Sequence, residues 1–206
     1  MAIDRKKTLD DYRARRGEFR VVEVPARRYL MVDGQGDPNT SPLYADAIAA
    51  LFPVAYALKA AVRREAGDDF VVMPLEALWW SDDMSTFTTR RDKARWRWTA
   101  MILVPDAVTA SLFSEAIEEV AARKKPSRVR DVRLDVLEEG MCLQTLHVGP
   151  YDDEAAVLAR LHEHEVPERG LRLTGRHHEI YVSDARRTAA ERLRTILRQP
   201  VALDES

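Results

Sequence analysis

The sequence has one cysteine, almost no net charge and no long apolar run, and each shortage excludes a class of protein. With Cys142 alone, the 206-residue chain forms no intramolecular disulfide and no cysteine-based zinc cluster, which fits a reducing cytoplasm. The 32 Lys and Arg residues against 34 Asp and Glu leave no basic field for nucleic acid. No stretch approaches the ~20 apolar residues of a spanning helix. We therefore predict a cytoplasmic protein with neither a nucleic-acid nor a membrane partner.

Motifs for metals, nucleotides and covalent catalysis are also absent. His177, His178 and Glu179 are adjacent, but neighbouring strand residues point to opposite faces and cannot chelate one ion together. The Gly-Gln-Gly stretch at residues 34–36 lacks the third glycine of a dinucleotide fingerprint, and no serine sits in a Gly-x-Ser-x-Gly elbow. We predict no metal and no cofactor.

An order of elements, strand, turn, helix and two strands, occurs twice. The segment YLMVDGQGDPNTSPLYADAIAALF lines up with EEGMCLQTLHVGPYDDEAAVLARLHEHEV, and EALWWSDD lines up with HHEIYVSD. Neither unit has enough helix to cover its own sheet. We predict an α+β fold of two β-α-β-β units around a pseudo-twofold axis, with antiparallel sheets, helices on one face and a ligand cleft on the other, between the halves.

The chain length suits a single domain over residues 1–206. Residues 1–18 are predicted to be a helical lead-in, and residues 19–122 the first half with its additional helix. A helix should begin after Ser41 and Pro42, where an apolar stripe starts. The basic segment at residues 123–131 is the predicted link, and residues 132–206 form the second half.

A carboxylate stands in the middle of the predicted strand GRHHEIYVSD. Side chains two apart share a face of a strand, so Glu179 and Tyr181 point the same way. The aligned halves place them at the seam, opposite Ala77 and Trp79. Three interpretations stay open from the pattern: a surface carboxylate, an ion pair with an arginine such as Arg176, or a ligand-facing carboxylate in an aromatic cleft. In that cleft it would be a cation receptor or a general base.

The tryptophans have two interpretations, core packing or contact with a ligand. Trp79 and Trp80 are adjacent, so one can pack under the helices while the other faces the cleft. Glu76 is a secondary candidate, either a surface charge or a ligand contact.

Several motifs in a fixed order carry a family resemblance. VDGQGDPN, VMPLEALWW, QTLHVGPYDDE, GRHHEIYVSD and TILRQPV resemble the stand-alone GyrI-like small-molecule-binding proteins, from about Phe19 to Val201. The resemblance implies a duplicated fold related to the effector-binding domains of BmrR-type multidrug regulators. It implies a hydrophobic or aromatic ligand, cationic in some relatives, bound between the halves.

The same resemblance implies roles for particular residues. By motif, Glu179 matches the glutamate that meets cationic ligands in drug-binding relatives. Some stand-alone members hydrolyse cyclopropanoid genotoxins related to duocarmycin, which implies water addition to an activated cyclopropane. Glu179 would then be the general base, Tyr181 or Tyr151 the hydrogen-bond donor to the developing negative charge, and Trp79 a stacking wall. The other predicted ligand contacts are Glu76, Met73, Trp98 and His147.

These observations leave functions of different classes open. The first is a binding protein that sequesters hydrophobic xenobiotics, and the alternative is a hydrolase that opens their strained rings in the same cleft. A third, a gyrase-interacting inhibitor, rests on shared fold alone. The predicted partner is a hydrophobic small molecule, and the chain is expected to be a monomer or a homodimer.

Overall fold

The computed structural model describes residues 2–82, 92–123 and 126–204 of the chain. Residues 124 and 125 of the predicted link lie outside this range. The strands are β1 (Arg20–Val24), β2 (Arg27–Gln35), β3 (Glu76–Trp80), β4 (Arg97–Leu103), β5 (Arg133–Leu137), β6 (Gly140–Val148), β7 (Leu171–Leu173), β8 (His177–Tyr181) and β9 (Arg194–Leu203). The helices are α1 (Arg5–Thr8), α2 (Pro42–Ala66), α3 (Ala110–Arg123), α4 (Ala155–Arg160) and α5 (Val166–Glu168). A π-helical turn, Leu161–Glu165, joins α4 to α5, and we call residues 155–168 the second-half helix.

The strands form one antiparallel sheet in the order β1-β6-β9-β8-β3-β4-β2-β5, and β7 extends β9. The first half supplies β3-β4-β2 and the second half β8-β9-β6, so the halves meet where β3 pairs with β8. Ala77 lies directly opposite Glu179 at this seam. The predicted α+β fold of two duplicated units is confirmed, and the two sheets are continuous.

The edge strands are exchanged between the halves. β1 precedes β2 in the chain but pairs with β6, whereas β5 precedes β6 but pairs with β2. Each half therefore completes the sheet of the other.

Helix α2 begins and ends where its sequence directs. Pro42 occupies the first turn, where a missing N–H costs nothing, and Gly67 adopts the left-handed conformation that closes the helix. Its inner side packs into the main core through Ala47, Leu51 and Val54. We expected no segment suited to a membrane, yet α2 is long and apolar enough to span one. Apart from Asp46, its charged residues lie from Lys59 onward, which leaves an apolar stretch before them.

The lead-in is less helical than predicted. Only α1 and a short 3-10 turn, Asp10–Tyr12, form in residues 2–18. The turn is held by the sheet: Gln144 Nε2 donates to the Asp11 carbonyl oxygen over 3.1 Å, and Arg198 Nη2 donates to the same oxygen over 2.7 Å. Because its polar groups bond to β6 and β9, the lead-in is fixed by long-range contacts that local propensity does not reveal.

Candidate functional site

The candidate site lies on the face of the sheet that carries the helices. Paired residues of neighbouring antiparallel strands share a face, so Ala77, Trp79 and Glu179 are on one side. Tyr44 of α2 lies against Trp79, with ring centroids 5.7 Å apart. From the second-half helix, His162 packs edge-on against His177 at 6.0 Å.

The predicted position of the cleft, on the face opposite the helices, is therefore wrong. The helices of the two halves stand apart on the same face, and the seam between β3 and β8 lies between them. Side-chain parity separates two faces of a strand, but it does not say which of them the helices cover.

Glu179 ends a chain of hydrogen bonds. Trp79 Nε1 donates to Tyr181 Oη over 3.2 Å, and Tyr181 Oη donates to Glu179 Oε2 over 2.7 Å. The second carboxylate oxygen, Oε1, lies 3.6 Å from His177 Nε2, and the Glu179 side chain is 14% exposed. The surface interpretation of Glu179 is excluded, and none of its described partners is an arginine. The carboxylate is oriented by the Tyr181 hydroxyl, which Trp79 holds in turn.

Aromatic rings from both halves surround this carboxylate. Tyr44 contacts Trp98 edge-on at 4.9 Å, and Trp79 contacts Trp96 edge-on at 5.8 Å. Tyr151, at the start of the segment that leads into α4, lies 5.4 Å from Tyr181. Such walls suit a flat apolar ligand.

Of the two tyrosines predicted to assist Glu179, Tyr181 binds it directly and Tyr151 packs against Tyr181. Burial, with Glu179 next in effect, raises the pKa of Tyr181 well above its usual value. Burial, followed by Glu154 and Glu179, raises the pKa of Tyr151 to about 12. Both phenols therefore keep their protons at neutral pH. Tyr151 is 39% exposed, so it is the one open to an incoming molecule.

A second carboxyl group, Glu154, was missed by the sequence analysis. It is 4% exposed, and burial together with Glu179 raises its pKa to about 9, against the opposing effect of the Thr195 hydroxyl. In YDDE it follows two exposed aspartates and resembles an ordinary acidic start to a helix. No local signal distinguishes it, because its burial comes from β8 and β9.

Three other predicted contacts have different surroundings. Trp98 is fully buried and pairs with Trp79 in register, so it supports the aromatic wall from the neighbouring strand. Met73 is buried in the main core. His147 is nearly buried, and its Nε2 lies 3.0 Å from the Pro150 carbonyl oxygen.

Glu76, a predicted ligand contact, lies on the face of the sheet opposite Glu179. Glu76 is fully buried on the opposite face, where its carboxylate binds Tyr12 Oη and lies 3.0 Å from His178 Nε2. Glu76 and Glu179 have opposite parity across the β3–β8 register, which is the physical reason.

Open depressions occur elsewhere on the surface. One of about 490 Å³ lies on α2 around Tyr56 and Arg63. Another of about 520 Å³ lies over Trp80 and Arg176 on the face opposite the site. Neither includes Glu179, whose surroundings are closely packed with aromatic side chains. We place the site by its chemistry, because no carboxylate lines the first depression and the carboxylate at the second, Asp33, is already ion-paired with Arg133.

The described residues offer little for a metal or a thiol nucleophile. Among them, no group of three His, Cys, Asp or Glu side chains could hold a metal ion. Burial, followed by Glu139, raises the pKa of the Cys142 thiol to about 12. This thiol stays protonated and is a poor nucleophile.

A duplicated α+β fold with an aromatic, carboxylate-bearing site between its halves defines a small-molecule-binding domain. The chain belongs to the GyrI-like small-molecule-binding domain family, whose pattern matches residues 17–202. No curated protein shows significant similarity to the chain.

Several solved structures are similar over nearly the whole chain. An uncharacterized conserved protein from Listeria innocua is 37% identical with a TM-score of 0.88, covering 97% of this chain and 100% of its own. A hydrolase from Listeria innocua is 36% identical with a TM-score of 0.83 and the same coverage. A second hydrolase from Listeria innocua is 35% identical with a TM-score of 0.85, covering 98% and 100%. The C-terminal domain of EcmrR, at 12% identity and a TM-score of 0.55, covers 90% of this chain and 98% of its own and shares the fold.

Proposed function

We propose that this chain is a hydrolase that binds a flat hydrophobic molecule in the site and opens a strained electrophilic ring by adding water. The substrate class implied by the family resemblance is the cyclopropanoid genotoxins. The role would be detoxification.

The observation that carries the proposal is the Trp79–Tyr181–Glu179 chain of hydrogen bonds. A general base must be held within reach of the proton that it removes, and two aromatic donors in series fix the orientation of this carboxylate. Tyr44 and Trp79 supply walls against which a flat ligand would stack. Two hydrolases from Listeria innocua that are 36% and 35% identical to the chain support an enzymatic function.

The two tyrosines have different roles in this proposal. Tyr181 donates a hydrogen bond to Glu179 and acts as a positioning residue. Tyr151 keeps its proton at neutral pH and is partly exposed, so it is the tyrosine proposed to contact the ligand.

The test is turnover of a duocarmycin-type cyclopropanoid, followed by mass spectrometry for the addition of one water. The wild-type protein should form product in molar excess over protein. Glu179→Gln should lower kcat by about 10²–10⁴-fold and leave ligand affinity nearly unchanged. Glu163→Gln, which removes an exposed carboxylate from the second-half helix, is the matched control and should behave as wild type.

A binding protein without turnover is the second candidate. An oriented carboxylate with aromatic rings around it is also a receptor for a flat organic cation. Stoichiometric capture of the cyclopropanoid, with no product in excess, would remove the hydrolase and favour sequestration. Under that outcome Glu179→Gln should weaken binding of an aromatic quaternary ammonium ion but not of its neutral isostere.

A further inference from the structure

Buried polar atoms without a partner are concentrated beside Glu179. In the described part of the chain, nine buried side-chain nitrogen or oxygen atoms lack a hydrogen bond of acceptable geometry, and six of them lie in this one region. Buried polar groups are nearly always paired, because leaving one unpaired is costly. The six belong to Thr145, Glu154, His162, Thr195 and both ring nitrogens of His177. We call these five residues the polar chamber.

The strand register places two residues of the polar chamber, Thr145 and Thr195, next to Glu179 and Tyr181. Thr195 is the partner of Tyr181 in the β8–β9 pair, and Thr145 is separated from Glu179 only by Leu197. These side chains share the helix-bearing face because paired residues point the same way. Both hydroxyls are almost completely buried.

The second-half helix contributes His162 to the polar chamber, and the turn before this helix contributes Glu154. His162 lies in the π-helical turn, a rare geometry that is frequent at functional sites. Burial, followed by His177, lowers the pKa of His162 to about 4, so this imidazole is neutral at pH 7. Glu154 follows the 3-10 turn that carries Tyr151, and its backbone N–H donates to the Tyr151 carbonyl oxygen over 3.2 Å. The chamber therefore suits an uncharged hydrogen-bonding group.

Glu154 is the acid of this chamber. Its Oε1 atom is buried without a hydrogen bond of good geometry, and the Thr195 hydroxyl is the neighbouring group that acts on it as a weak hydrogen-bond partner. A ligand oxygen could replace that hydroxyl as the partner of the Glu154 carboxyl group. Burial and Glu179 raise its pKa to about 9, so it carries a proton at pH 7. The titratable and charged groups that act on it are Glu179 and Tyr181 from β8, Tyr151 and Asp152 from the turn before α4, and Lys93 from the segment before β4. Lys93 binds Asp152 over 2.8 Å, which partly neutralises that aspartate.

We propose that Glu154 is the proton donor of the reaction in which Glu179 is the base. This inference rests on the proposed hydrolase function and extends it. The substrate class is a cyclopropane conjugated to a carbonyl group, with the carbonyl oxygen directed into the polar chamber.

The proposed step balances in protons and electrons. Glu179 takes a proton from water, and the water oxygen bonds to the ring methylene carbon. The cyclopropane C–C bond breaks, and its electron pair moves through the conjugated system to the carbonyl oxygen. That oxygen takes the proton of Glu154 and becomes a phenol. The proton held by Glu179 then restores Glu154 through solvent, so the net change is the addition of one water.

The test is the pH profile of kcat with a duocarmycin-type cyclopropanoid as probe. Wild-type kcat should fall as the pH rises past about 9, because Glu154 then loses its proton. Glu154→Gln should lower kcat by about 10²–10⁴-fold and remove this basic limb from the residual activity. Asp153→Asn, which removes the exposed neighbouring carboxylate, should keep both the rate and the limb.

The outcomes separate this inference from the proposed function. A wild-type protein without turnover overturns the hydrolase, and the donor with it. A wild-type protein that turns over, with a basic limb that persists in Glu154→Gln, leaves the hydrolase intact and overturns the donor. Binding of the ring-opened product, measured by tryptophan fluorescence, checks that Glu154→Gln keeps its folded site.

Discussion

At the scale of residues, the buried carboxyl group of Glu154 lowers the stability of the fold. Its pKa is about 9 in the folded chain against 4.5 for an ordinary glutamate. Above pH 4.5 the unfolded chain loses this proton while the folded chain keeps it, so folding must retain a proton that solvent would take. The contribution of Glu154 to stability therefore worsens as the pH rises from about 4.5 to about 9.

Glu154→Gln should remove this cost. The amide is uncharged at every pH and nearly isosteric, so the free energy of unfolding should rise by about 3 kcal/mol at pH 7. The gain should be near zero at pH 4.5 and largest near pH 9. Urea unfolding at three pH values measures it, with Asp153→Asn as the exposed control. A gain that does not change with pH would contradict the buried acid.

At the scale of elements, strand β3 carries two adjacent tryptophans whose side chains lie on opposite faces of the sheet. Trp79 faces the helices and donates to Tyr181. Trp80 faces the other side, where the Arg176 guanidinium lies 3.6 Å from its ring centroid. Alternation along the strand forces this division, and it makes the pair a natural internal control.

Binding of the ring-opened duocarmycin analogue should therefore quench Trp79 and leave Trp80 unaffected. Trp79→Phe should lose most of the fluorescence change on binding, because the indole at the site is gone. Trp80→Phe should keep it. The reverse pattern would place the ligand over the depression at Trp80 and Arg176, and would contradict a site at Glu179.

The sequence predicts the features of the fold and site that depend on short segments, and it does not predict those that depend on contacts between distant segments. The alternation in β8 and the internal repeat correctly predicted that Glu179 and Tyr181 share a face and that Ala77 lies opposite. Both are periodic features of short segments. Glu154 and the exchanged edge strands depend on contacts between distant segments, as between β1 and β6. No local pattern records which strand an edge will join.

At the scale of the whole molecule, the face opposite the site holds a buried ionic network. His178 lies 3.0 Å from both Glu76 and Glu139, and Arg198 lies 3.0 Å from Glu139. Burial would lower the pKa of His178, but Glu139 and Glu76 outweigh it and raise the pKa to about 9. Burial would raise the pKa of Glu139, but His178 and Arg198 lower it to about 2.

This network ties β3 of the first half to β8 and β9 of the second. The contribution of His178 to stability is complete below pH 6.5 and is lost as the pH rises through about 9. The contribution of Glu139 is complete above pH 4.5 and is lost as the pH falls through about 2. The network therefore contributes its full stabilisation to the seam between about pH 4.5 and pH 6.5.

His178→Leu should break the network while keeping an apolar side chain of comparable size. Glu76 would then lack its cation and Glu139 would keep only Arg198, which should cost about 3–5 kcal/mol. Adding Glu76→Gln should recover part of the loss, because one buried charge is removed. Urea unfolding measures both variants, and His164→Leu, at an exposed position, is the control. An unchanged midpoint in His178→Leu would contradict a stabilising role.

The exchanged edges make the sheet a joint product of both halves, and β1 is the part that can be removed to test this. Without residues 2–24, strand β6 loses its outer partner and Arg198 Nη2 loses the Asp11 carbonyl oxygen at 2.7 Å. Arg198 would keep Glu139 and Gln144 but lose both Asp11 acceptors, and this loss together with a bare sheet edge should prevent cooperative folding. Deleting only residues 2–8 removes α1 and the bridge from Ile3 to Phe70. That deletion should cost about 1–2 kcal/mol and leave a cooperative transition. Thermal unfolding of the two truncated chains decides, and equal, sharp transitions would mean that β1 is dispensable to the second half.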